Sequence, residues 1–126
     1  MRRQGVLVAA ILVRVATLGA CSQGQADAAA LTHGGDAARG RELIRNYGCG
    51  ACHAIPGVRG ADAAVGPNLS GIASRAYVAG VTPNTPENLI RWLMNPPAID
   101  SQTAMPNLGV SERDARDMAA YLYMLK

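Results

Sequence analysis

Cys49-Gly50-Ala51-Cys52-His53 is the stretch on which the reading of this 126-residue chain turns. On a helical turn, positions i, i+3 and i+4 share a face, so Cys49, Cys52 and His53 converge on one side. C-x-x-C-H is the attachment pattern of a c-type haem: the two thiols add to the vinyl groups and the following histidine reaches the iron. Three other readings compete. A dithiol oxidoreductase needs a sheet-containing fold, and no alternating strand pattern follows the motif. Zinc needs four ligands, and the only further thiol and imidazole are Cys21 and His33. A plain Cys49–Cys52 disulfide gives His53 no task. One haem c, held through Cys49 and Cys52 with His53 on the iron, is the expectation.

Working outward, the chain reads as helices joined by irregular loops. Asp36 is placed to cap a helix running to about Tyr47, in which Leu43, Ile44 and Tyr47 recur on one face. Gly40 lies inside that helix, and a mid-helix glycine costs about 0.5–1 kcal/mol against alanine. A close helix crossing is the expected reason. Thr85-Pro86-Glu87 opens a second helix, and Asn95-Pro96-Pro97 stops it. Ser111-Glu112-Arg113-Asp114 opens the last, with Ala115, Met118, Ala119, Leu122 and Leu125 as its apolar stripe. The connections Pro56 to Asn68 and Pro96 to Gly109 are long for so small a domain, and long ordered loops usually wrap something.

A six-coordinate haem takes a second axial ligand, commonly Met or His. Met118 and Met124 fall on the last helix and Met94 at a helix end, where methionine more often fills gaps. Met105 sits in an irregular loop before Pro106 and is the expected sixth ligand.

The N-terminus reads as an export signal. Met1-Arg2-Arg3 is followed by an apolar run from Val6 to Val13 and by small residues up to Cys21. Arg14 interrupts the stretch, which is too short to span a bilayer. Leu18-Gly19-Ala20-Cys21 resembles the lipobox of bacterial lipoproteins, in which the cysteine becomes the acylated N-terminus. Ordinary cleavage after Ala28 or Ala30 is the competing reading. Removing residues 1–20 leaves nine basic against nine acidic side chains, a formally neutral chain with no basic cluster. That excludes nucleic acid as a partner. Ser22 to Gly35 is small and polar without periodicity, and reads as a flexible linker of about 20 Å as a coil and at most about 50 Å extended. The expected layout is a signal peptide over 1–20, lipidated Cys21 and linker over 21–35, and a folded domain over 36–126.

The runs GRELIRNYGCGACH, VGPNLSGIASR, TPENLIRWLMNPPAI and TAMPNLGVSERDARDMAAYL together resemble a class I cytochrome c from about Gly40 to Leu125. They are especially similar to the cytochrome c domain fused to subunit II of some haem-copper terminal oxidases. The resemblance implies an all-α cytochrome c fold, three main helices and long loops wrapped around one covalent haem. It implies that Pro67 offers its carbonyl to the second nitrogen of His53, and that Arg75, Trp92 and Thr103 line the propionate and methionine side of the haem. Gly40 and Tyr121 match the crossing of the first and last helices. The usual aromatic of the first helix is replaced by Ile44, with Tyr47 as a substitute.

The function that follows is single-electron transfer, not enzymatic catalysis, because ligation by His53 and Met105 leaves the iron no open position. The implied setting is the periplasmic side of a bacterial membrane, anchored through Cys21 or else soluble. The implied partners are redox complexes of the terminal oxidase or quinol–cytochrome c reductase type, met as a monomer or in a transient complex. Two alternatives remain at this stage: a cytochrome subunit of a periplasmic dehydrogenase, and an open-iron haem sensor or enzyme should Met105 not bind.

Overall fold

A computed structural model describes residues 22–126, so the signal-like segment and Cys21 lie outside the described residues. Helix α1 covers residues 22–31, α2 Ala37–Asn46, α3 Pro86–Met94, α4 Pro96–Ile99 and α5 Glu112–Leu122. Two short 3-10 turns lie at Cys49–Ala51 and Ile72–Ser74, and a small antiparallel hairpin pairs β1 Tyr77–Val78 with β2 Thr82–Pro83.

Each main helix starts where its cap residue satisfies amide groups that have no partner inside the helix. The Asp36 side chain accepts from the Ala38 and Arg39 amides, Thr85 from Asn88, and Ser111 from Asp114. Pro86 stands in the first turn of α3, where its missing N–H costs nothing. Glu112 and Asp114 place negative charge at the positive end of α5. Asn95, at φ −156°, ends α3 before the proline pair. Pro96-Pro97 then opens the single turn of α4, inside a stretch that the sequence reads only as loop.

Helix α5 packs against both α2 and α3. The core between them is Ile44 from α2, Leu89, Ile90, Trp92 and Leu93 from α3, and Ala115, Met118, Ala119 and Leu122 from α5. Ile44 occupies the interior at 1% exposure, while Tyr47 is half-buried and turns its hydroxyl to the Asp114 carboxylate at 2.9 Å. Arg39 reaches Asp114 at 2.5 Å and also pairs with Asp117, tying α2 to α5 beside the crossing.

The segment read as a flexible linker is ordered. Residues 22–31 are helical, and Ala28 and Thr32 are buried at 3% and 0% exposure. Ala28 packs with Ala37 and Ala120, so the arm seats on α5 through small side chains. Alanine and threonine at single spaced positions leave no periodic apolar signal, which is why this helix is not legible from hydrophobic pattern alone. His33, assigned to that linker, instead sits beyond the end of α1 with its Nε2 3.3 Å from Glu87 of α3.

Candidate functional site

Helix α2 ends at a left-handed residue, Gly48 at φ +75°, where a side chain would be strained. The chain then tightens into the Cys49–Ala51 turn, in which the Cys49 carbonyl accepts from both the Cys52 amide at 3.2 Å and the His53 amide at 3.0 Å. Cys49 is half-buried and Cys52 exposed, and both are free thiols. Burial pushes the Cys49 thiol above its ordinary value, which favours the neutral thiol over the thiolate.

The loop from Gly66 to Leu69 is fastened to this turn by backbone bonds: the Gly66 amide donates to Cys52 at 2.7 Å and the Leu69 amide to Ala54 at 2.8 Å. Pro67 thereby comes opposite the imidazole, and His53 Nδ1 lies 2.7 Å from its carbonyl oxygen. A carbonyl only accepts, so Nδ1 carries the proton and Nε2 keeps its lone pair. That is the tautomer a metal-ligating histidine needs, and the outer partner fixes the orientation of the ring.

Gly66 was not singled out by sequence reasoning, and its role is steric. A Cβ there would lie 2.5 Å from His53 Cε1, so only glycine lets the chain pass over the imidazole. Its place directly before Pro67 was the available signal. Asn84 was likewise missed. Its side chain donates to the Ile72 and Arg75 carbonyls at 2.8 and 2.9 Å and accepts from the Tyr123 hydroxyl at 2.9 Å. One side chain thus ties the loop after Leu69 to the end of the chain, and no local motif announces it.

The residues singled out from sequence fall into two groups. Around His53 stand Cys49, Cys52, Pro67 and, through the same loop, Arg75, whose guanidinium donates to the Asn68 and Ser70 carbonyls. In the loop after α4, Thr103 Oγ accepts from the Met105 amide at 3.1 Å, and Met105 is half-exposed. Cys49 and Met105 both pack against the main core, to which buried Trp92 belongs. Gly40 faces Asp117 and Met118 across the contact of α2 with α5. Tyr121 packs against the cluster of Ala28, Ala37 and Ala120, and its hydroxyl donates to the Pro56 carbonyl at 2.6 Å, over Gly57.

Among the described residues, no group of three or more His, Cys, Asp or Glu gathers to hold a bare metal ion. Two free thiols, one imidazole of fixed tautomer and one thioether fit a haem c instead, and Gly66 keeps the imidazole clear of a side chain that would displace it.

The family model for cytochrome c matches residues 37–126. Among curated proteins, the chain is 34% identical over 89 residues to a cytochrome c oxidase subunit 2 of Alkalihalophilus pseudofirmus, covering 70% of this chain and 25% of that one. It is also 34% identical over 90 residues to the cytochrome c oxidase subunit 2 of Bacillus subtilis, with the same coverage. The chain thus spans about a quarter of the length of the curated relatives it matches. No solved structure matches it significantly. From Ala37 to its last residue, then, this chain belongs to the cytochrome c family, with relatives among cytochrome c oxidase subunit 2 proteins.

Proposed function

We propose that the chain is a mono-haem c-type cytochrome that carries single electrons in a bacterial respiratory chain, delivering them to a terminal oxidase. The observation that carries this reading is the 2.7 Å bond from His53 Nδ1–H to the Pro67 carbonyl, which leaves Nε2 as the one nitrogen able to bind iron. Haem supplies an iron that alternates between Fe(III) and Fe(II). Everything else is the work of side chains. Cys49 and Cys52 hold the group covalently from the turn after α2. His53 and Met105 would supply the protein ligands to its iron, with Thr103 bracing the Met105 backbone. Arg75, beside the Asn68 loop, offsets propionate charge, and Trp92 closes the methionine side from the core. The helices α2, α3 and α5 frame the group, and the loops after α2 and α3 wrap it.

Cys21 is the site of acylation in this reading, after removal of residues 1–20, and the acyl chains hold the protein on the periplasmic face of a membrane. The relatives' assignment to cytochrome c oxidase supports the terminal oxidase as partner. Contact with it is transient, of the size below about 1,200 Å² typical of redox encounters.

The test is the visible spectrum of protein matured in a haem-c-competent host, oxidised and reduced, with and without carbon monoxide. A low-spin spectrum with the methionine-to-ferric charge-transfer band and no response to carbon monoxide is expected, and Met105→Ala is expected to lose that band and bind carbon monoxide. A high-spin wild type that binds carbon monoxide rapidly would overturn the electron-carrier reading in favour of an open-iron sensor or enzyme. Stoichiometric co-purification with a periplasmic dehydrogenase would move the protein to that complex.

A further inference from the structure

Pro67 holds its carbonyl on His53, and the residues after it decide how firmly. Proline fixes its own φ, so the plane of the Pro67–Asn68 peptide turns only about ψ of Pro67 and φ of Asn68. The next plane along is held at both of its polar groups. The Leu69 amide donates to Ala54 at 2.8 Å, and the Asn68 carbonyl accepts from the Arg75 guanidinium. Arg75 also donates to the Ser70 carbonyl at 3.0 Å, so one side chain spans the loop that follows Pro67.

Arg75 is in turn placed by its own backbone. It ends the Ile72–Ser74 turn, where its amide donates to Ile72 at 3.2 Å. Asn84 grips both ends of that turn, donating from Nδ2 to the Ile72 and Arg75 carbonyls at 2.8 and 2.9 Å. Two carbonyls can only accept, so the amide nitrogen faces them and Oδ1 is left to accept from the Tyr123 hydroxyl at 2.9 Å. Tyr123 caps the end of α5 and packs against the main core. Two residues further on, the Leu125 carbonyl accepts from the Ala73 amide of the same turn at 3.1 Å. Hydrogen bonds and rigid peptide planes thus lead from the end of the chain to the Nδ1 proton of His53.

We propose that Asn84 and Tyr123 are positioning residues for His53: through the Ile72–Ser74 turn and the Arg75 guanidinium they hold the Pro67 carbonyl against Nδ1, and so set how strongly the imidazole donates to iron. The proposal rests on the reading of His53 as the ligand of a haem c. A firm bond at Nδ1 makes the ring a better donor, which favours Fe(III). Loosening it raises the reduction potential, whereas moving the Arg75 charge away from the haem would lower it.

Holoprotein labelled with 15N-histidine is prepared as wild type, Asn84→Ala, Tyr123→Phe and Gly40→Ala. The last is a control placed at the contact of α2 with α5. Exchange of the His53 Nδ1 proton with water is read by NMR in the ferrous state, where His33 is the only other histidine, and the midpoint potential by redox titration. Asn84→Ala is expected to speed that exchange roughly tenfold and to raise the potential. Tyr123→Phe, which keeps both Asn84 donors, is expected to move both in the same direction by less. Gly40→Ala is expected to change neither. Unchanged exchange and potential in both variants, equal changes in Gly40→Ala, or a lowered potential in Asn84→Ala would overturn the proposal. Wild-type holoprotein whose His53 ring protons carry no haem ring-current shift would overturn His53 as the ligand, and the proposal with it.

Discussion

Gly40 of α2 faces Asp117 of α5 so closely that a Cβ on Gly40 would lie 1.9 Å from the Asp117 carbonyl oxygen. Two helix backbones meet there with no side chain between them, beside buried Ile44 and Met118. Gly40→Ala gains helix propensity worth about 1 kcal/mol and loses more to backbone displacement. A net destabilisation of about 1–3 kcal/mol is expected, read as a lower urea midpoint of the holoprotein. An unchanged midpoint would show that the crossing yields easily.

Gly66→Ala places a methyl against the imidazole, 2.5 Å from His53 Cε1 in the present geometry. The ring is expected to move off the Pro67 carbonyl and, in the proposed haem site, to bind the iron less well, while the helices stay intact. Visible and far-ultraviolet spectra of the same sample separate these effects. Gly24→Ala, with nothing within 4 Å, is the matched control and is expected to change neither.

The Asp114 carboxylate is held below its ordinary range, first by the Tyr47 hydroxyl and then by Arg39 and Ser111. A carboxylate depressed in the folded state contributes stability above its unfolded value near pH 4, and that contribution is lost as pH falls through the lower folded value. Stability is therefore expected to fall on acidification below about pH 4. In Asp114→Asn the neutral-pH stability drops and this part of the acid dependence disappears. Parallel curves for the two proteins from pH 7 to pH 2 would refute the assignment.

Tyr123 is pushed up to about 12 by burial, with Glu87 nearby adding to the effect. A phenol raised in the folded state costs no stability below its unfolded value near pH 10, and stability falls as pH rises from there toward 12. Tyr123→Phe is expected to flatten that alkaline decline. It also frees one bond of Asn84, whose replacement by alanine leaves the Ile72 and Arg75 carbonyls without a donor. Asn84→Ala is expected to cost about 1–3 kcal/mol and to speed amide exchange in the hairpin first.

Without residues 1–20 the chain is formally neutral. For the processed protein in the proposed role, electron transfer to a terminal oxidase is therefore expected to change little with added salt, in contrast to steered encounters between oppositely charged surfaces. Stopped-flow rates across a range of ionic strength check this, and a steep fall would reveal a charged docking face.

The sequence by itself determined what depends on neighbours a few residues apart. Asp36, Thr85 and Ser111 cap α2, α3 and α5 where they were expected to, because a cap bonds amides two or three residues ahead. The Cys49–His53 motif is legible for the same reason, since one turn suffices to bring its side chains together. The bond between His53 and Pro67 was legible only through the family resemblance, and residues such as Gly66 and Asn84 went unremarked. Their partners lie across the fold, and nothing local records them. The arm from Ser22 to Gly35 shows the difference most plainly. Its small polar composition fits a tether, yet Ala28 packs with Ala120 of α5 and Gly35 passes beside Arg116 and Ala120 where only a small residue fits. Only tertiary packing decided that, because burial of so little apolar surface is stabilising solely against a surface already in place.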